Sequence, residues 1–164
     1  MRRRRHAARA FTLIELMIVV AVIVLIVALA VPSFLTSRMR ANEGVAVANL
    51  MAIRNACQTY YSQGTPHSYP ADMTLLTTPA TTPPYIDPLL AGAAGGGLTS
   101  QRQGYVFTYA PTLSSGAVNE GFTIQAGPAV YGRTGLKSFY ADETGIVTAT
   151  TQNQPANAGD AQVN

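Results

Sequence analysis

FTLIELMIVVAVIVLIVALAV, residues 11–31, is the stretch that decides how the rest of this chain is read. Within it only Thr12 and Glu15 carry polar side chains. Twenty-one such residues, wound as an α-helix, would extend about 31 Å, close to the hydrocarbon thickness of a bilayer. A plain membrane anchor would account for that length. It would not account for Glu15, because a carboxylate at the bilayer centre costs roughly 2.5–3.5 kcal/mol and implies a function.

On the N-terminal side, Met1 to Ala10 reads MRRRRHAARA, with five arginines and no apolar segment. Such a basic leader stays on the cytoplasmic side of a membrane. On the C-terminal side Pro32 closes the run, and a bend or weakened turn is expected there. A competing reading treats the first 30 residues as a secretory signal cut after Ala28-Leu29-Ala30, which would release a soluble domain beginning at Val31. Against that reading, the apolar run is longer than the usual 7–15 residues of such a signal and carries Glu15, so the secreted domain is kept as the lesser alternative.

Beyond Pro32 the apolar positions become periodic. Met39, Ala46, Leu50, Ile53, Cys57 and Tyr60 recur every three or four residues, while Arg38, Arg40, Asn42, Glu43, Asn49, Arg54, Asn55 and Gln58 fall between them. This pattern predicts an amphipathic helix over 33–62, with Ile53 on the covered face and Asn49 on the outer one. Gly64 and Pro66 then stop it. Residues 63–104 lose all periodicity and predict a long Pro-, Gly- and Thr-rich loop, with one short helix near Ala71 to Leu76. The glycine-rich run from Ala91 to Gly97 lacks the Lys-Ser/Thr that a phosphate loop needs.

From Gly104 onward strand patterns take over. Tyr105–Ala110, Phe122–Ala126, Leu136–Ala141 and Ile146–Thr150 are the four candidates, and Asp142-Glu143-Thr144-Gly145 marks a hairpin between the last two. Short links without helices predict an antiparallel meander over 105–151, covered on one face by the amphipathic helix. Residues 152–164 are polar and predict a flexible tail. The fold class is therefore α+β, a long helix with a projecting apolar half and an amphipathic half packed on a four-stranded sheet.

The 164 residues are 48% hydrophobic and 12% charged, with a calculated pI near 9.2. Five of the eleven basic residues lie in the leader, leaving six against eight acidic side chains in residues 11–164. No basic patch for nucleic acid is legible in that remainder. The single cysteine, Cys57, excludes an intrachain disulfide and reads as a small buried hydrophobe. Enzyme chemistry finds no footing. His67 lies between prolines, His6 lies in the leader, and no nucleophile-elbow or zinc-binding motif occurs. Asp142 and Glu143 read as solvated turn residues, and neither a metal site nor a cofactor is predicted.

The arginine-rich leader, the segment Ala10-Phe11-Thr12-Leu13-Ile14-Glu15 and Pro32 together resemble the start of type IV prepilins and related pseudopilins. The resemblance implies that a prepilin peptidase cuts between Ala10 and Phe11 and methylates the new amine of Phe11. The family has Gly before the cut, where this chain has Ala10. The resemblance further implies a precursor held in the inner membrane and a subunit that an inner-membrane assembly platform builds into a self-assembled surface filament. In that filament Glu15 would take part in assembly. Helix, loop and antiparallel sheet follow one another as in type IV pilins. The segments 104–109 and 138–145 are similar to a recurrent pattern in pilus subunits, whereas the acidic calcium loop of the secretion pseudopilin has no counterpart. A pseudopilin of a type II secretion system is the alternative assignment.

Overall fold

A computed structural model describes residues 11–77, 83–92, 96–113 and 118–163 of the chain. The chain forms two compact units, Met1–Ser37 and Arg38–Asn164. The helix α1 (Leu13–Gln63) contributes to both. Leader residues 1–10, most of the threonine cluster and the middle of the glycine-rich run lie outside the described residues.

In the second unit, α1 buries Ala46, Leu50, Ile53, Ala56 and Cys57, the three- and four-residue spacing that places side chains on one helix face. That face meets a sheet of β1 (Thr99–Arg102), β2 (Tyr105–Leu113), β3 (Asn119–Pro128), β4 (Ser138–Asp142), β5 (Val147–Thr150) and β6 (Ala161–Gln162). The strands lie side by side in chain order and every pair is antiparallel. Alternation along each strand sends Tyr105, Phe107, Tyr109, Phe122, Ile124, Ala126, Phe139, Ala141 and Val147 into the core. Cys57 is buried there as a free thiol, and burial pushes its pKa up to about 12.

Several expectations from the sequence are corrected. The sheet has six strands, where four were expected. β1 escaped notice because an edge strand that contributes only Ser100 to the interior has no hydrophobic alternation. β2 also runs on past Pro111 instead of stopping before it. The amide of Tyr109 donates to Leu98 O, so the nitrogen two residues later faces the same edge, beyond the end of β1, where no donor is needed.

The tail, expected to be flexible, is tied across the outer face of the sheet. Gln125 Nε2 donates to Ala156 O (3.1 Å), Thr148 Oγ1 donates to Asn157 O (2.6 Å), and Ala156 is fully buried. A hollow of about 270 Å³ remains between this strap and the outer face of β2 and β3. The long loop is likewise part of the interior. Tyr69, Ile86, Leu90 and, from a 3-10 turn at Met73–Leu76, Met73 and Leu76 are all buried. Tyr69 stacks on Tyr61 and meets Phe122 edge-on, which fastens the loop to both helix and sheet.

Polar residues on the flanks of α1 hold the connecting loops. Asn42 Nδ2 donates to Thr134 O (3.0 Å), and Glu43 Oε1 accepts from Leu136 N (2.9 Å). One helical turn before the C-terminal end, Gln58 Nε2 donates to Glu143 O of the β4–β5 hairpin. The hairpin closes on Gly145 at φ +87°, where a side chain would run into the Arg54 guanidinium. Asp142 Oδ1 accepts from Thr144 N, as a turn carboxylate does. Asn49 departs from its expected place on the outer face. It is half-buried, and its amide nitrogen is enclosed without a hydrogen-bond partner.

Candidate functional site: the N-terminal helix

Every residue from Phe11 to Arg38 is exposed in the isolated chain. Phe11 is 80% exposed and Leu25 65%, and the most apolar window of the helix has a mean hydropathy of 3.2. By length and composition α1 is able to cross a membrane. Large apolar side chains each contribute roughly 1.5–3 kcal/mol when taken out of water. A surface this long and this apolar therefore requires a lipid or protein covering.

The start of the helix is where chemistry and fold meet. Thr12 precedes the first helical residue, and Glu15 is the third residue of the helix. Thr12 Oγ1 accepts from Glu15 N (3.2 Å) and donates to Glu15 Oε2 (3.2 Å), while Thr12 N reaches the same carboxylate oxygen at 3.4 Å. This reciprocal arrangement is a capping box, which satisfies backbone donors that the first helical turn leaves without partners. A negative charge in the first turn is also favoured by the helix dipole. Glu15 is thus neither central to the span nor alone, and the cost reckoned for a lone carboxylate at mid-membrane does not apply. The sequence signal was present as Thr-x-x-Glu before an apolar run, and reading Glu15 as an isolated charge passed over it.

Only Oε2 of Glu15 is used by the cap, so Oε1 remains open to a further donor. Phe11 lies immediately outside the cap and is exposed, with Ala10 beyond the described residues. Helix α1 continues through Pro32, whose missing N–H leaves the Ala28 carbonyl without its helical donor. Thr36 Oγ1 donates to Pro32 O (3.1 Å). Among the described residues no group of three or more His, Cys, Asp or Glu side chains gathers to hold a metal.

Comparison with a known family bears on this same segment. Residues 5–31 match the prokaryotic N-terminal methylation motif. The type IV major pilin protein PilA of Myxococcus xanthus (strain DK1622) is 44% identical over 55 residues, 34% of this chain. That match spans only a quarter (25%) of the relative's length. No solved structure matches the chain. The matched motif contains the Thr12–Glu15 cap and the apolar start of α1, and the chain is similar over a third of its length to a type IV major pilin.

Proposed function

We propose that this chain is a structural subunit of a type IV pilus, not an enzyme. Prepilin peptidase cleaves it between Ala10 and Phe11 and methylates the Phe11 amine. Helix α1 holds the subunit in the inner membrane until the assembly platform moves it into a surface filament of identical copies. The observation that carries this reading is the fully exposed apolar helix that begins, inside the methylation motif, with a capped carboxylate.

Glu15 has two tasks in this account. In the membrane its Oε2 belongs to the Thr12 cap. Once helices bundle in a filament, Oε1 accepts the positive Phe11 amine of a neighbouring copy. A buried pair of this kind sets axial register more than it adds net stability, because the desolvation cost offsets most of the attraction. The two tasks come apart in Glu15→Gln, which keeps a capping-box acceptor and loses the charge. Both Glu15→Ala and Glu15→Gln are expected to insert and be processed, yet to yield few filaments by electron microscopy of intact cells. Wild-type filament numbers from Glu15→Gln would leave only the cap and remove the charge-pair role. Filament imaging also separates the pilus from a secretion pseudopilus, whose subunits make no surface fibre.

A further inference from the structure

Four of the six cations in residues 11–164 gather at one end of the second unit. Arg38 lies one turn before Asn42 on α1, and Arg40 lies three residues before Glu43. Asn42 and Glu43 are the residues that hold the β3–β4 loop, through Thr134 O and Leu136 N. Arg133 and Lys137 flank those two contacts in sequence, so the loop carries both of them to the same end. The loop is rigidly placed. Tyr105 OH donates to Lys137 O (2.8 Å), Ala129 N donates to Gly104 O (2.8 Å), and Gly135 passes so close to the Tyr105 hydroxyl that any side chain would overlap it.

Arg38, Arg40, Arg133 and Lys137 are all exposed, with exposed Val130, Tyr131 and Leu136 among them. Among the described residues the one ion pair is Arg102–Asp87, so none of the four has a carboxylate partner. The acidic residues Asp72, Asp87, Glu120, Asp142, Glu143 and Asp160 belong to other loops, strands and the tail, and Glu43 is engaged by the Leu136 amide.

We infer that this basic patch binds anionic phospholipid headgroups of the bilayer that holds α1. The inference rests on the membrane reading given above and goes beyond it. Chain length supplies the connection. Arg38 follows the end of the apolar run at Val31 by seven residues, at most about 25 Å of extended chain and about 10 Å as helix. The headgroup layer is therefore within reach of the patch however the two units are oriented. Cations with apolar and tyrosine neighbours suit that layer, where aromatic rings and basic side chains anchor proteins. Each cation near an anionic membrane surface biases association by about five-fold. The contact would hold the second unit against the membrane before assembly and would have to be surrendered on extraction.

The test uses the full chain in nanodiscs of phosphatidylcholine alone or with one-third phosphatidylglycerol. Hydrogen exchange of the amides over 129–137 is followed by mass spectrometry. Exchange is expected to be several-fold slower only where phosphatidylglycerol is present, and to recover in high salt. The pair Arg133→Gln and Lys137→Gln should abolish the difference, whereas Arg102→Gln should leave it intact. Equal exchange in both lipids overturns the inference. So does slowing that depends on the number of chains per disc and not on lipid charge, which would make a second copy the occupant. Flotation of the same samples checks insertion separately. A chain that does not float refutes the membrane reading and this inference with it, whereas a floating chain with charge-independent exchange refutes this inference alone.

Discussion

Replacing Ile53 by Asp tests the packing of α1 on the sheet. Ile53 is fully buried in the cluster formed with Leu50, Cys57 and the inward-facing strand residues. Removing the side chain forfeits roughly 1.5–3 kcal/mol of apolar burial. A carboxyl group left there without a partner adds about 1–3 kcal/mol even when neutral. The total, roughly 2.5–6 kcal/mol, is a large part of the 5–15 kcal/mol that stabilises a typical domain. At about 3–5 °C per kcal/mol for a unit of this size, the midpoint should fall by roughly 8–30 °C. The control is Asn55→Asp at an exposed position, since half-buried Asn49 would not serve. The assay is thermal unfolding of the full chain in detergent micelles, followed by near-ultraviolet circular dichroism of the tyrosines. Far-ultraviolet signals would be dominated by the apolar part of α1, which stays helical in detergent. Equal midpoints for Ile53→Asp and Asn55→Asp would refute the assignment of helix faces.

Gly135→Ala should cost about 1–3 kcal/mol through overlap with the Tyr105 hydroxyl, and adding Tyr105→Phe should recover part of it in melting experiments. Strictly additive losses would show that the close approach is not the cause. Alkaline pH should unfold the second unit. Burial raises the pKa of Tyr105 and of Tyr109 above the ordinary tyrosine value and lifts Cys57 to about 12. A group whose folded pKa is raised contributes stability below its unfolded pKa and loses that contribution as pH rises toward the folded value. Stability should therefore hold to about pH 9 and fall between about pH 9 and 12, with tyrosine absorbance at 295 nm rising as the fold is lost. Complete tyrosine ionisation near pH 10 in a still-folded chain would contradict the burial of these rings.

Much of the fold was legible because its signals are local and periodic. The spacing of Ala46, Leu50, Ile53 and Cys57 marks a helix face directly, and the alternation of Tyr105, Phe107 and Tyr109 marks a strand. What escaped depends on partners far away in sequence. β6 is only two residues, and β1 is an edge with little to bury. The C-terminal strap is polar because it is held by side chains of the sheet donating to its backbone carbonyls, which leaves no trace in hydrophobicity. Asn42, Glu43 and Gln58 looked like solvated residues because helix periodicity separates apolar from polar and cannot tell a loop's hydrogen-bond partner from water. At the candidate site the motif around Phe11 was plain. The cap was missed because Glu15 was weighed against the bilayer and not against Thr12 three residues before it.

The central claim is that the apolar helix is kept in a mature protein whose first residue is Phe11. Intact-mass and N-terminal peptide mass spectrometry of the chain from peptidase-containing cells addresses it without an intermediate assumption. The account predicts a mature chain whose first residue is N-methylated Phe11. A chain beginning at Val31, released after Ala30 as a soluble domain, would contradict it.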